Sequence, residues 1–396
     1  MTDTLTGDTQ LSEATKSQAI TTPGGMARST VLPRVEWVGP EPKVNPAQRH
    51  RFEELGLLGE GGMGEVVLAK DHDIEREVAL KRLPPNADLG RVMRFVEEIR
   101  TVGRLEHPNI VPVHDVGVDA SGRYFFVMKA LRGETLEAII TRLAAGDEAT
   151  HARFPINVRV QLFLSILNAV GYAHQQGIIH RDLKPANIMV GPYGEVTVMD
   201  WGLAKRVRTK DLPGEAAISG PRDGTVLQTQ LGAVMGTPLY MSPEQASGAN
   251  DTLDERCDLY SLTVILHELL HCEHYLTGLD DLQGVLQGVK TKIPVLHQMN
   301  LKGPRFQVPA ELDWFLERGF QKDPARRWQS VAQMQDELQA ILRGECRVQC
   351  QRTFAKRMIG ESAKFVDQRP VAAIIGGSMV GTVFLAAIVK SLMVLF

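Results

Sequence analysis

Cysteine and net charge are both scarce in this chain of 396 residues, and each shortage argues against a class of protein. Four unevenly spread cysteines cannot build a disulfide framework, so a reducing compartment is expected. With 44 basic and 47 acidic residues, the formal net charge is only −3, which gives no electrostatic reason to expect nucleic acid as a partner. The first residues lack a basic stretch followed by an apolar run, so no secretory signal is recognisable.

What the chain does have is an ordinary globular composition, with 43% hydrophobic and 23% charged residues. Its length exceeds what one hydrophobic core usually supports, so a two-lobed body with extra segments is expected. Residues 1–50 are rich in Thr, Ser, Gly and Pro and are predicted to be a disordered tail. The globular part, residues 51–343, is predicted to begin with a small, mostly β lobe (51–130) and to continue as a large, mainly α lobe (131–343).

Two segments follow the globular part. Residues 344–370 are charged and irregular and form a predicted linker. Residues 371–396 contain Val371–Val389, nineteen residues without a charge, which is long enough to cross the ~30 Å hydrocarbon core as one helix. The basic residues Arg352, Lys356, Arg357, Lys364 and Arg369 precede this stretch, and only Lys390 follows it. The positive-inside tendency therefore predicts a single-pass protein of the cytoplasmic membrane with its globular part in the cytoplasm.

Hydrophobic periodicity predicts the positions of the main elements. Short apolar and β-branched runs, punctuated by glycine, predict four strands at Leu55–Leu58, Val66–Ala69, Val78–Leu80 and Tyr124–Met128. Apolar residues at helical spacing predict five helices at Leu89–Leu105, Val160–His174, Cys257–Cys272, Glu311–Gln321 and Ser330–Leu342.

The most informative stretch of the sequence is His180-Arg181-Asp182-Leu183-Lys184-Pro185-Ala186-Asn187, followed thirteen residues later by Asp200-Trp201-Gly202. Phosphoryl transfer by kinases uses an aspartate that receives the hydroxyl proton and a lysine that neutralises the moving phosphate. Asp182 and Lys184 fit those two catalytic roles. An asparagine and a second aspartate hold the metal, and Asn187 and Asp200 fit these positions for Mg²⁺, with Mn²⁺ as the alternative ion.

A second, glycine-rich motif contains the string G-x-G-x-x-G within Leu58–Val66. Dinucleotide-binding folds use the same string, but they need a helix to open at the last glycine, whereas here Val66–Ala69 continues as a strand. The loop therefore joins two strands as a hairpin, and its glycines let backbone amides approach triphosphate oxygens closely. The candidate nucleotide-binding residues are Leu58, Gly59, Glu60, Gly61, Gly62, Met63, Gly64 and Val66.

A lysine on an apolar strand is the third candidate for catalysis. Lys81 ends the run Val78–Lys81, and a buried ammonium without an acidic partner would be unfavourable. Glu98 is the favoured partner because it lies three residues beyond Phe95 on the inward face of the predicted helix, and Glu97 is the alternative. Positioned by Glu98, Lys81 would contact the α- and β-phosphates of ATP.

The order of these motifs resembles that of the protein kinase family, specifically bacterial transmembrane Ser/Thr kinases of the Hanks type, from Phe52 to near Arg343. Further matching strings are His107-Pro108-Asn109-Ile110-Val111, Gly236-Thr237-Pro238 and Met241-Ser242-Pro243-Glu244-Gln245. The resemblance implies an α+β class, the two-lobed protein kinase fold, with one C-terminal transmembrane helix added. It also implies ATP and a divalent ion as cofactors, and proteins with Ser or Thr acceptors as substrates.

The resemblance assigns roles to single residues as well. It implies that Met128 guards the back of the adenine pocket, and it implies nucleotide contacts from Ala79, Lys129, Leu131 and Met189. Glu244 and Arg327 are implied to form an ion pair, and Asp258 to hold the catalytic loop. Thr141–Pro155 resembles an insertion and is expected to be a surface loop.

Control by phosphorylation is a further expectation from the resemblance. The activation segment is the stretch from Asp200 to Glu244. Arg181, beside the catalytic aspartate, is implied to bind a phosphate on this segment, so autophosphorylation is expected. The sequence does not choose among the candidate acceptors Thr209, Ser219, Thr225 and Thr229. Gly377 and Gly381 form a G-x-x-x-G step in the apolar stretch, which favours pairing of two helices and hence a homodimer.

Two other functions are compatible with parts of the sequence. A pseudokinase scaffold would bind nucleotide without turnover, but the presence of all the polar groups that turnover requires argues against it. The string His267-Glu268-Leu269-Leu270-His271 matches H-E-x-x-H, the motif of zinc proteases. That reading is disfavoured because Cys272 and His274 are too close in sequence to supply the third ligand.

Overall fold

A computed structural model describes residues 29–45, 50–61, 64–206, 237–249, 252–279, 281–294, 308–345 and 358. The chain divides into two compact units. One consists of the residues up to Val92 together with His114–Ala130 and is mostly β; we call it the β unit. The other consists of Met93–Val113 and the residues from Leu131 onward and is mainly helical; we call it the helical unit.

The β unit contains an antiparallel hairpin and a five-stranded sheet. The hairpin is formed by β1 (Arg34–Val38) and β2 (Glu41–Asn45). The sheet has the order β3-β4-β5-β7-β6, with the bounds Phe52–Gly61 (β3), Gly64–Asp71 (β4), Arg76–Arg82 (β5), Val113–Val118 (β6) and Tyr124–Lys129 (β7). All four predicted strands are confirmed, each within a longer observed strand.

Successive side chains along the central strands point to opposite faces of this sheet. One face carries a buried apolar cluster that includes Val67, Val78, Leu80 and Val127. The neighbours of these residues along each strand therefore point to the opposite face.

The hairpin β1–β2 corrects the expectation that residues 1–50 contain no secondary structure. Its register pairs Val35 with Val44 and Trp37 with Pro42, so these four apolar residues share one face of the hairpin. Gly39, at φ +68°, begins the two-residue turn between the strands, a position that favours glycine. Composition alone predicted a tail because this apolar pattern is short and surrounded by polar residues.

The helices are α1 (Leu89–Val102), α2 (Leu136–Ala144), α3 (Glu148–Arg153), α4 (Ile156–Gln175), α5 (Pro243–Ala246), α6 (Arg256–His271), α7 (Leu282–Thr291), α8 (Ala310–Gly319) and α9 (Val331–Leu342). All five predicted helices are confirmed. The expected surface loop Thr141–Pro155 is wrong for most of its length, because α2 extends to Ala144 and α3 follows. Asp147 caps α3 by accepting a hydrogen bond from the Thr150 N–H.

Short strands place the functional loops of the helical unit. They are β8 (Glu134–Thr135), β9 (Ile178–Ile179), β10 (Ile188–Val190), β11 (Val196–Val198) and β12 (Lys205–Arg206). Strand β10 lies between β11 and β8, and β12 pairs with β9.

Helix α4 is the core helix of this unit. Among the described residues it is the one helix long and apolar enough to cross a membrane by length and composition, and half of its apolar window is buried. It packs on α6 and α9, as expected of a core helix. The stretch Val371–Val389, which was predicted to span the membrane, lies outside the described residues.

Candidate active site

The stretch His180–Asn187 forms a loop of the helical unit between β9 and β10, and we call it the catalytic loop. Its first side chain, His180, is fully buried and lies against the indole of Trp201, with ring centroids 4.5 Å apart. The last three residues, Pro185–Asn187, form a turn of 3-10 helix. The loop is therefore fixed at both ends by regular structure.

Asp258 of α6 is the main anchor of this loop, as the sequence analysis expected. One of its carboxylate oxygens accepts hydrogen bonds from the His180 N–H (2.8 Å) and from Nε2 of His174 (2.8 Å). The other accepts the Arg181 N–H at 2.9 Å. Burial alone would raise the pKa of Asp258, but the hydrogen bonds from His174 and His180 outweigh burial and leave this pKa below its ordinary value. Asp258 is thus a buried carboxylate with three donors.

Three of the predicted chemical groups meet within the catalytic loop. The Lys184 Nζ lies 2.8 Å from Oδ2 of Asp182. The Asn187 Nδ2 donates to the backbone carbonyl of Asp182 at 2.9 Å and approaches its Oδ2 at 3.4 Å. The carboxylate predicted to receive a proton therefore lies in direct contact with the lysine and the asparagine of the same loop.

Two residues of the site adopt left-handed backbone conformations although neither is glycine. Arg181 has φ +69° and Asp200 has φ +59°. Such conformations are uncommon outside glycine and persist where the surrounding structure holds them. Arg181 immediately precedes Asp182, and Asp200 is a predicted metal ligand, so the strain lies next to the predicted proton acceptor and at a predicted metal ligand.

Trp201 fills a buried position and is 1% exposed. A buried indole N–H usually finds a hydrogen-bond partner, yet Nε1 has none within the part of the chain that the structure describes. Its contact with His180 is what it contributes to the catalytic loop.

In the β unit, four of the residues expected at the nucleotide share one face of the sheet, whereas Lys129 pairs with Val78 of the other face. Val66 pairs with Lys81, and Ala79 pairs with Met128, in the β4–β5–β7 ladder. These residues alternate with the buried cluster, so they lie on the face opposite to it. The Lys81 ammonium lies 5.9 Å from the ring centroid of Phe126, its other cross-strand neighbour.

The glycine-rich motif forms the ends of β3 and β4 and is a hairpin, as predicted. A Cβ built on Gly59 or Gly61 would meet no atom within 4 Å, so the fold itself does not require glycine there. At Gly64, with φ +132°, a Cβ would lie 2.0 Å from the backbone oxygen of Arg82. Gly64 is therefore structural, whereas the open space at the other two glycines is compatible with a ligand.

The remaining predicted positions lie as follows. Glu98 of α1 is 3% exposed while Glu97 is exposed, which matches the predicted inward face. Met189 is half-buried on β10, and Lys129 is exposed at the end of β7. Leu58 and Glu60 are exposed on β3, and Leu131 is half-buried. Six predicted residues lie outside the described residues: the nucleotide-binding candidates Gly62 and Met63, and the candidate phosphate acceptors Thr209, Ser219, Thr225 and Thr229.

The ion pair expected between Glu244 and Arg327 is present. The guanidinium of Arg327, whose side chain is fully buried, bonds both carboxylate oxygens of Glu244 at 2.8 Å. Planar, two-point pairs of this kind are strong and geometrically specific.

The H-E-x-x-H string belongs to no metal-ligand cluster among the described residues. Glu268 accepts a hydrogen bond from the Tyr240 hydroxyl at 2.6 Å. His267 is fully buried, and its ring lies 4.7 Å from that of His271. Within the ranges that the structure covers, no cluster of three His, Cys, Asp or Glu side chains is placed to hold a metal.

Sequence reasoning missed two residues that support the catalytic loop, one through Asp258 and one by direct contact. His174 bonds Asp258, and Gln245 donates from Nε2 to the Arg181 carbonyl at 2.9 Å. His174 gave no signal, because it looked like the end of an apolar helix. Gln245 stood in a string that was noted only for its family resemblance.

A carboxylate that is paired with a lysine and contacted by an asparagine is an arrangement suited to phosphoryl transfer. A family model described as "Protein kinase domain" matches residues 52–338. The chain belongs to the protein kinase family.

Individual relatives agree with this family assignment. The chain is 35% identical to "Serine/threonine-protein kinase PknD" of Protochlamydia amoebophila, over 76% of this chain and 30% of that protein. It is 34% identical to "Serine/threonine-protein kinase PknB" of Mycobacterium leprae, over 76% and 44% respectively. It is 35% identical to "Serine/threonine-protein kinase pkn3" of Myxococcus xanthus, over 74% and 50%. The chain spans half the length of these relatives or less.

Proposed function

We propose that this protein is a serine/threonine protein kinase that transfers the γ-phosphate of ATP to protein hydroxyls. The observation that carries the proposal is the meeting of Asp182, Lys184 and Asn187 within hydrogen-bond distance of one another, on a loop held by a buried carboxylate. The resemblance of the activation-segment string Gly236-Thr237-Pro238 to Ser/Thr kinases supports the residue class. The names of the relatives agree with it.

In this proposal, each group of the catalytic loop has a separate task. Asp182 orients the acceptor hydroxyl and receives its proton, and the ion pair with Lys184 holds its carboxylate in place. Lys184 also offsets the negative charge of the phosphoryl group in transfer. In the β unit, Lys81 contacts the nucleotide phosphates, with Glu98 as its expected acidic partner.

Asn187 and Asp200 fit a divalent cation by the chemistry of their donor atoms. Carboxylate and amide oxygens are the ligands that Mg²⁺ prefers. Asn187 makes its hydrogen bonds to Asp182 through Nδ2, so its amide oxygen is the atom that remains for a cation. When bound, the cation neutralises charge on the phosphate oxygens.

The proposal is tested by incubating the purified full chain with γ-labelled ATP, Mg²⁺ and a degenerate pool of Ser/Thr and Tyr peptides. Asp182→Asn should lower transfer about 10²- to 10⁴-fold, because it removes the proton acceptor. Asp336→Asn, an exposed aspartate on α9, is the matched control and should leave transfer unchanged. Label on serine and threonine is expected. No label with the wild-type chain would favour a nucleotide-binding scaffold, and label only on tyrosine would overturn the residue class.

We further propose that Val371–Val389 anchors the kinase in the cytoplasmic membrane, with the kinase part facing the cytoplasm. The proposal is supported by the uncharged length of this stretch and by the basic residues that precede it. After expression in bacteria and an alkaline carbonate wash, the full chain should stay in the membrane pellet, whereas a chain ending at residue 343 should be soluble. A soluble full chain would contradict the anchor.

We also propose that the anchor promotes autophosphorylation between two copies, through the step formed by Gly377 and Gly381. Replacing both glycines with isoleucine should reduce self-association in membranes and slow autophosphorylation. Phosphosite mapping would then identify which of Thr209, Ser219, Thr225 and Thr229 accepts phosphate. Unchanged self-association would discard the pairing.

A further inference from the structure

Gln245 of α5 has two sets of partners that fix the direction of its side-chain amide. Its Oε1 accepts from the Ser242 N–H (3.0 Å) and from the Ser242 hydroxyl (3.1 Å). Its Nε2 donates to the carbonyl oxygen of Arg181 at 2.9 Å. The opposite orientation of the amide would place a donor against donors and an acceptor against an acceptor, so the partners determine the assignment.

The carbonyl that Gln245 holds belongs to the peptide unit between Arg181 and Asp182. The N–H of the same peptide unit, which is the N–H of Asp182, donates to Nδ1 of His180 at 3.3 Å. Both polar ends of this peptide plane are therefore bound by side chains, one by His180 and the other by Gln245. Since this plane precedes the Cα of Asp182, its direction sets where the Asp182 carboxylate points.

This peptide unit needs to be held, because Arg181 has φ +69°, a conformation that residues other than glycine rarely adopt. Asp258 binds the Arg181 N–H on one side of the residue, and Gln245 binds the carbonyl on the other side. Without the Gln245 amide, the carbonyl would lose this donor, and rotation of the plane would become easier.

Gln245 can act as a fixed support because its own helix is firmly held. The neighbouring Glu244 forms the two-point pair with the buried Arg327. Gln245 itself is 7% exposed and Ser242 is fully buried. The amide thus contacts the catalytic loop from helix α5, which is held in place by Arg327 at the end of the activation segment.

We infer that Gln245 is a positioning residue for phosphoryl transfer, which ties the end of the activation segment to the peptide that aims Asp182. The inference rests on the proposed function, in which Asp182 receives the proton of the acceptor. Gln245 touches neither substrate nor nucleotide in this account, so it acts only through the direction of Asp182. Its loss should therefore slow the chemical step and leave nucleotide binding intact.

Two substitutions separate this role from helix capping. Gln245→Glu keeps an oxygen for the Ser242 N–H but replaces the donor to Arg181 with a second oxygen. Gln245→Met, of similar size, removes both functions. If positioning is the role, both variants of the full chain should lose at least about tenfold in kcat, with KM for ATP changed by less than about twofold. If capping alone matters, Gln245→Glu should turn over like the wild type, and the inference fails.

The chain offers a matched control at the start of α9. There Ser330 caps the helix by accepting the Gln333 N–H at 3.3 Å, and Oε1 of Gln333 accepts the Gln329 N–H at 3.2 Å. Gln333→Glu and Gln333→Met repeat both chemical changes at an exposed helix start and should leave kcat within about twofold of the wild type.

The experiment measures kcat and KM for ATP with the degenerate peptide pool, and the affinity for a fluorescent Mg-ATP analogue, each per folded molecule. If the wild type transfers phosphate and both Gln245 variants do so equally fast, the inference is wrong and the proposed function still stands. Absence of wild-type turnover would overturn the proposed function instead. If both Gln245 variants fail to fold while both Gln333 variants fold, the role is general stability and the inference is wrong.

Discussion

The catalytic loop of the helical unit and the glycine-rich hairpin of the β unit are built in opposite ways. In the catalytic loop, buried side chains hold the backbone: Asp258, 1% exposed, binds two backbone N–H groups. In the hairpin, β3 is exposed along nearly its whole length, and its three glycines, Gly56, Gly59 and Gly61, border open space. The first region is shaped by the protein itself, while the second leaves open space that the proposed nucleotide site requires. Substitutions should therefore act differently in the two regions.

The largest expected effect is that of Asp258→Asn. The substitution removes a charged acceptor from buried donors, so the free energy of unfolding should fall by about 3 kcal/mol or more. Transfer activity should fall as well, because the loop that carries Asp182 loses its anchor. Urea unfolding and the labelled-ATP assay measure the two effects. The control Asp336→Asn should change neither, and an unaltered unfolding curve for Asp258→Asn would break the contrast between the regions.

Glycine substitutions sharpen the comparison inside the hairpin. Gly64→Ala should reduce the free energy of unfolding by about 2 kcal/mol, because its φ of +132° and the Arg82 oxygen leave no room for a Cβ. Gly59→Ala should change stability by less than about 0.5 kcal/mol, yet raise KM for ATP, since the added methyl faces open space. Thermal unfolding and ATP kinetics distinguish these outcomes. Equal destabilisation by both variants would show that Gly59 is structural too.

The smallest expected effect concerns pH and the buried histidines of α6 and its C-terminal end. Burial holds the pKa of His267 well below its ordinary value and lowers the pKa of His274 to about 4. A lowered pKa means that the folded state binds the proton less readily than the unfolded chain does. Their contribution to stability is therefore complete above about pH 6.5 and is lost as the pH falls toward 4.

His267→Leu should remove its share of this dependence. Over that acidic window, the wild type should lose up to about 1.4 kcal/mol of unfolding free energy per pH unit more than the variant. His50→Leu, at an exposed position, is the matched control and should keep the wild-type slope. Urea unfolding at several pH values measures the slope of unfolding free energy against pH for each protein. Identical slopes for the wild type and His267→Leu would refute the assignment.

The sequence was a good guide wherever the signal was local. The catalytic motif is one continuous run, so its loop, and the closeness of Asp182, Lys184 and Asn187, could be predicted. Helix α1 ends at Val102 rather than at Leu105, because Gly103 follows. The hairpin β1–β2 was missed because four alternating apolar residues do not outweigh a polar composition. Helix α3 was missed although Asp147, three residues before Thr150, is a local start signal.

Contacts between distant parts of the chain could not be derived from spacing. His174 and Asp258 are far apart in sequence, and only packing of α4 beside α6 brings them together. Asp258 was expected through family resemblance alone. Gln245 is likewise 64 residues from Arg181, and nothing in its own string indicates a carbonyl as its partner. Buried polar side chains that support a loop therefore remain the hardest functional residues to predict from sequence.

The most direct test of the central claim is a crystal structure of the full chain with Mg²⁺ and a non-hydrolysable ATP analogue. The account predicts one oxygen of Asn187 and one of Asp200 as ligands, each about 2.1 Å from a magnesium ion bound to the phosphates. The Asp182 carboxylate should stay beside Lys184. A metal bound through other side chains, with Asn187 and Asp200 turned away from it, would contradict the account.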